Sequence, residues 1–288
     1  MSRIGIPRDI SRKVKLFYET YSFPGYEDCD SVYGLRLKAE RGIYAKLLDN
    51  QLPRGIRILD AGCGTGQLAI FLSLKGREVL GIDFSLNSLR KGNDFKKKFK
   101  LDNVDFMQMS IFDAALKLKE NSFDYVFCMG VLHHTHSAYD GFKVLCKLVK
   151  KNGYIAVGLY NKYGRLSSSV RKLIFKVVGE RFLALDYFMR QRDMDSKKKK
   201  TWFMDQYRNP HESKHSVDEV LNWFKENKVE YINSLPKISL DEQFTLGEKL
   251  FEKHDPGGKI DHFLSQLSWI FTQGKEGGFF IMIGRKIG

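Results

Sequence analysis

Three groups of side chains in this 288-residue chain have the types and spacing for chemistry. The first is Asp60-Ala61-Gly62-Cys63-Gly64-Thr65-Gly66, an acid followed by glycines at alternate positions, with a second acid at Asp83. Alternating glycines allow a tight strand-to-helix turn whose backbone can approach a ligand closely. Asp60 would repel a pyrophosphate but accept from a cationic amino group, and Asp83 stands where doubly wound folds meet ribose hydroxyls. The pair suits a nucleoside carrying positive charge; a dinucleotide or phosphate site is the alternative reading. The second group is His133, His134 and His136, an H-H-x-H cluster suited to proton transfer or to metal binding. The third is His211-Glu212-Ser213-Lys214-His215, spaced like a zinc-protease signature. That signature works only on a helix, where both imidazoles share one face and grip one zinc.

The elements that must position these groups follow from periodicity. Residues 33–51 show helical spacing, Ile56–Asp60 reads as a buried strand, and the glycine turn leads into a helix closed by Gly76. Further strands are expected at 78–83, 104–110, 123–130, 154–159, 228–238 and the chain end. Helices are expected from Ser85 and over 137–151, the latter stopped by Asn152-Gly153. Strands alternating with helices predict an α/β fold, doubly wound, with a mostly parallel seven-stranded sheet. Asp60, Asp83, Met129 and Gly130 then fall at carboxyl strand ends, where such sheets bind ligands. The third group fares differently. Pro210 precedes it and Ser216-Val217-Asp218-Glu219 follows, a capping box that starts a helix at Ser216 and leaves His211–His215 in a loop. Protease geometry is thereby disfavoured, and no metal is expected.

The stretch ILDAGCGTGQLAIF resembles the D-x-G-x-G-x-G motif of the class I S-adenosylmethionine-dependent methyltransferases. The resemblance runs over residues 55–160 and returns over 228–288, where the antiparallel last strand of that fold would lie. It implies S-adenosylmethionine as cofactor, with Asp60, Gly62, Cys63, Gly64 and Gly66 holding the methionine moiety and Asp83 the ribose hydroxyls. By the same resemblance Phe84 flanks the adenine, Ser110 and Ile111 border it, and Met129 and Gly130 line the cleft. Many members carry an acid after the third strand; here the residue is Ser110, with Asp113 three positions on.

Acceptor recognition must come from added segments. The division expected is a helical, aromatic lid segment at 1–52, a cofactor-binding core at 53–160, an insertion at 161–227 and the end of the sheet at 228–288, itself interrupted at 239–275. Tyr18, Tyr21, Phe23 and Tyr26 could fold over the cofactor as a lid that expels water; a helix packed outside the sheet is the alternative. Tyr160 and Arg165 follow the fifth strand at the ligand edge. Together with Tyr21, Tyr26, His133 and Trp202 they form the expected acceptor-binding set. His211, His215, Tyr207 or His134 would serve as the base if the acceptor must lose a proton. The aromatic insertions suit a closed pocket for a small or medium organic acceptor, with the O-, N-, S- or C-atom undecided.

Composition leaves two alternatives open. The net charge of +14 makes an RNA acceptor a second reading, although the lysines gather in two runs, at 96–100 and 197–200, that read equally as solvated faces. A non-catalytic cofactor-binding module is the third. Four scattered cysteines suit free thiols in a reducing compartment, and the N-terminus lacks a signal-peptide core, so a cytoplasmic enzyme is expected.

Overall fold

Burial of both faces marks the central strand: in β1 (Arg57–Ala61) every residue after Arg57 is buried, as a parallel strand covered by helices on both sides requires. The computed structural model describes residues 7–21, 25–26, 29–178, 185–190, 196–272 and 278–288. The other strands are β2 (Glu78–Asp83), β3 (Val104–Gln108), β4 (Phe123–Met129), β5 (Val149–Tyr160), β6 (Val229–Leu235) and β7 (Phe279–Lys286). They form one seven-stranded sheet in the order β3-β2-β1-β4-β5-β7-β6. β7 alone runs antiparallel to its neighbours β5 and β6. The doubly wound sheet with an antiparallel last strand is the expected fold.

The helices are α1 (Pro7–Thr20), α2 (Val32–Glu40), α3 (Ile43–Gln51), α4 (Gln67–Ser73), α5 (Leu86–Phe99) and α6 (Ala114–Lys117). They continue as α7 (Ala138–Leu148), α8 (Leu166–Val178), α9 (Tyr187–Arg190), α10 (Ser196–Arg208), α11 (Val217–Glu226) and α12 (Lys259–Thr272). One face of the sheet packs on α7 and α11 through Phe142, Leu145, Trp223 and Phe224. The other packs on α3 and α4 through Leu48, Ile70, Phe71 and Leu72. Chain order reverses between β1 and β4, so the crevice of this fold opens there, at their carboxyl ends.

Two boundaries differ from the sequence reading. The single helix expected over 33–51 is two, because Gly42 adopts an extended conformation and caps α3; glycine in a helix interior is costly, and the chain turns there instead. The helix expected over 137–151 ends at Leu148, since the buried Val149 pairs with Phe123 and opens β5. Asn152, at φ +63°, lies within that long strand rather than at a helix end.

The site-forming turn is held by backbone bonds: the amides of Gly62 and Cys63 both donate to the Ile82 carbonyl, at 2.7 and 3.0 Å. Gly66 caps α4 at φ +81° and faces the Phe106 ring, which a Cβ there would approach to 2.3 Å. Gly66→Ala should therefore cost about 1–3 kcal/mol, since both the left-handed backbone and the packed ring oppose it. Urea denaturation measures this, and an unchanged midpoint would contradict the packing described.

Candidate active site

A cavity of about 560 Å³ opens at the carboxyl ends of β1, β2 and β4, a volume typical of small-molecule sites. Asp60, Gly62, Cys63, Gly64, Asp83, Phe84, Ser110, Ile111, Met129 and Gly130 all line it. Gly66 does not; it shapes the turn from behind.

The two acids stand in different surroundings. Asp83 Oδ2 accepts from the Gly64 amide at 2.9 Å and Oδ1 from the Ser85 amide at 2.8 Å. Burial raises its carboxyl while these backbone donors pull the other way. Asp60 is only 3% exposed, and its Oδ2 has no hydrogen-bond partner. Burial, then the nearby charge of Asp83, pushes the Asp60 carboxyl up to about 7. A buried carboxylate with a free oxygen is costly until a cation meets it. The donor set therefore fits S-adenosylmethionine: a carboxylate for its ammonium, a glycine turn for close approach, and Asp83 at the next strand end for hydroxyls.

The far end of the cavity comes from α1 and α10. Glu19, near the end of α1, accepts from the Leu86 and Asn87 amides with its two carboxylate oxygens (2.8 and 3.1 Å), clamping α1 to the N-terminus of α5. Ser11, Val14 and Tyr18 thereby reach the cavity. From α10, Trp202, Asp205 and Gln206 reach the same space, the i, i+3, i+4 spacing of one helix face. The Tyr18 hydroxyl donates to Asp205 at 3.0 Å and accepts from Asn209 at 3.0 Å. Gln206 donates to the Tyr160 hydroxyl at 2.9 Å.

His134 lines this end, and its Nδ1–H donates to the His211 carbonyl at 2.8 Å. Burial lowers its pKa, offset in part by the charge of Asp205. The neutral ring thus carries its proton on Nδ1 and keeps the Nε2 lone pair.

Several expected site residues lie elsewhere. His215 is buried, bonded through Nδ1 to Glu219 (2.7 Å) and through Nε2 to Ser213 (2.8 Å), with its ring against Trp223. Tyr207 donates to Asp186 at 2.5 Å within an apolar cluster with Phe175 and Phe203. His211 contributes its carbonyl, not its ring. None of the three lines the cavity: Asp186 holds the Tyr207 hydroxyl, Glu219 and Ser213 hold the His215 ring, and His211 bonds to His134 only through its carbonyl. Arg165 is not at the cavity wall either: its guanidinium lies 3.7 Å from the Tyr160 ring centroid and pairs with Glu212 at 2.7 and 3.2 Å. Burial opposes the Glu212 charge, yet Arg165 holds that carboxyl below the usual range. His133 is buried and stacked at 4.1 Å on Tyr160, outside the lining, with neither ring nitrogen hydrogen-bonded.

Of the described lid aromatics only Tyr18 lines the cavity. Tyr21 packs on Phe17, while Tyr26 stacks on Phe95 and donates to the Thr65 carbonyl; Phe23 lies outside the described residues. Residues 211–215 form a loop and α11 starts with a Ser216–Glu219 capping box, as the sequence predicts. Among the described residues no cluster of His, Cys, Asp or Glu is placed to hold a metal ion. Asp205 and Gln206 were not singled out in the sequence; their shared helix face with Trp202 was the available signal.

Sheet order, glycine turn and buried acid together define a Rossmann-like methyltransferase. Residues 52–228 match the family described as methyltransferase domain, and the chain belongs to that family, within the class I S-adenosylmethionine-dependent methyltransferases. Curated relatives include an uncharacterized protein of Synechococcus sp., 30% identical over 185 residues, covering 61% of this chain and 43% of that one. A ubiquinone biosynthesis O-methyltransferase of Albidiferax ferrireducens is 27% identical over 129 residues, covering 45% of this chain and 48% of that one. The chain thus spans about half the length of the curated relatives it matches. Two solved structures share the fold. One is the 1,6-didemethyltoxoflavin-N1-methyltransferase of Burkholderia thailandensis, with TM-score 0.55 and 12% identity, covering 100% of this chain and 93% of that one. The other is the magnesium protoporphyrin IX methyltransferase of Synechocystis, with TM-score 0.54 and 13% identity, covering 99% and 100%.

The Asp60 environment gives a stability prediction for the cofactor-free chain. Its folded pKa is raised above the unfolded carboxylate value, so its stabilising contribution is complete below about pH 4 and fades as pH rises through about 7. Asp60→Asn should leave stability near pH 4 little changed and raise it at pH 8 by about 2 kcal/mol or more. Urea titrations at both pH values measure this; an equal effect at both would contradict the assignment.

Proposed function

We propose that this chain transfers a methyl group from S-adenosylmethionine to a hydroxyl oxygen of a small or medium organic acceptor, with His134 as the base. The observation that carries the reading is the His134 tautomer: a buried, neutral imidazole on the cavity wall, its Nδ1 proton fixed by the His211 carbonyl. The cofactor, when bound, supplies an electrophilic methyl on its sulfonium. Asp60 binds the ammonium of its methionine part and Asp83 orients the ribose, while Phe84, Ser110 and Ile111 border the adenine. Tyr18, Tyr160 and Trp202 enclose the acceptor, exclude water and hold the hydroxyl in line. As the new C–O bond forms and the C–S bond breaks, the hydroxyl proton passes to Nε2 of His134.

A hydroxyl acceptor is also supported by the O-methyltransferase relatives. The cavity end presents the carboxylate of Asp205 rather than a group of cations, which favours a small neutral or cationic acceptor over the RNA reading.

Methyl transfer from labelled S-adenosylmethionine to a panel of phenols, aliphatic alcohols, amines and thiols tests the reading. Label should enter hydroxyl compounds. His134→Ala should lower turnover about 10²- to 10⁴-fold with S-adenosylhomocysteine affinity unchanged. Because burial depresses the His134 pKa, turnover at saturating S-adenosylmethionine should hold as pH falls to 6.5 and decline only below it. Label in amines or thiols alone, or full turnover in His134→Ala, would sink the proposal.

A further inference from the structure

Helix α8 turns an apolar stripe outward. Leu166, Val170, Leu173 and Val177 are 46%, 57%, 63% and 77% exposed. At 100° per residue the four side chains fall within about 60° of one another. The opposite face is the buried one: Ser168 and Phe175 point inward, and Phe175 packs on Phe203 and Tyr207 of α10. A surface helix ordinarily buries its apolar stripe. Here the inner face already has its partners, so the outer stripe is a second, separate apolar surface.

Charge narrows what can cover it. α8 contains Arg171, Lys172 and Lys176 and no acidic residue. Lys199 and Lys200 lie at the start of α10, beside which α8 packs. A second copy laid along the stripe would bring these cations against their own kind, with no carboxylate on α8 to offset them. Lys176 edges the stripe, about 90° from its centre, while Arg171 and Lys172 lie about 130° from it, Lys172 near Glu212. An apolar stripe edged by Lys176, with Lys199 and Lys200 alongside, is that of a helix lying in an anionic interface. Among the described residues no helix is long and apolar enough to cross a membrane, so the contact is one of lying on the surface.

We propose that the outer face of α8 docks this chain on an anionic lipid bilayer, with Leu166, Val170, Leu173 and Val177 entering the interface and the lysines meeting the headgroups. α10, on which the buried face of α8 packs, also carries Trp202, Asp205 and Gln206 to the cavity. The docking stands apart from the methyl-transfer reading, and each can fail without the other.

Sedimentation of the full chain with vesicles of phosphatidylcholine, with and without phosphatidylglycerol, tests the proposal. Binding should appear with phosphatidylglycerol, weaken as salt rises, and be absent with phosphatidylcholine alone. Leu173→Glu with Val177→Glu should weaken it about tenfold or more, and so should Lys176→Glu with Lys200→Glu; unchanged urea midpoints would show both variants folded. The proposal is overturned if the wild-type chain does not sediment with phosphatidylglycerol vesicles, or if the variants sediment as it does. It is equally overturned if the chain elutes as a dimer that Leu173→Glu with Val177→Glu dissociates, since the stripe would then belong to a second copy.

Discussion

The carboxylate of Asp60, buried at the end of the central strand with one oxygen unpartnered, is the constraint on which the site depends. β1 is covered on both faces, so its last residues must point into protein or into the crevice. The glycine turn makes the crevice possible by letting the chain leave β1 and enter α4 with no Cβ in the way; a Cβ on Gly62 would meet Val131 at 2.4 Å. An acid in that position is destabilising to the empty protein and useful only to a cationic ligand. Such a mismatch between stability and local chemistry marks functional sites.

Around this fixed point the end of the cavity lined by α1 and α10 is assembled by longer-range bonds. Glu19 fixes α1 to α5, Tyr18 ties α1 to Asp205 and Asn209, and Arg165 ties Tyr160 to Gln206 and Glu212. The loop 211–215 belongs to this frame. Its glutamate neutralises Arg165, its second histidine anchors the start of α11, and its first lends a carbonyl to His134. Residues spaced like a zinc protease thus serve as struts for a different chemistry.

The cofactor half of the cavity was legible in the sequence because it is local. Asp60, the glycines and Asp83 sit at strand ends that periodicity alone locates, and strand ends define the crevice. The capping box at Ser216 was legible for the same reason. The half lined by α1 and α10 was not, because its residues meet only across the fold. Tyr18 and Asp205 are 187 positions apart, and nothing local to either announces the other. Tyr207, His211 and His215 carry the right side chains for a base, yet Asp186, the Thr135 backbone and Glu219 claim them first. His134 differs because one backbone carbonyl settles its tautomer and leaves Nε2 without a proton, in a residue that lines the cavity.

Calorimetric titration of S-adenosylhomocysteine into the wild-type chain and into Asp60→Asn, run at pH 7 in buffers of different ionisation enthalpy, tests whether the Asp60 carboxylate meets the ligand's ammonium. Burial and the charge of Asp83 raise the Asp60 carboxyl to about 7, so part of the empty protein is protonated there before binding. One molecule should bind per chain with net release of protons, and Asp60→Asn should lose affinity at least about thirtyfold and release no proton. Equal affinity and equal proton release in both proteins would contradict that contact.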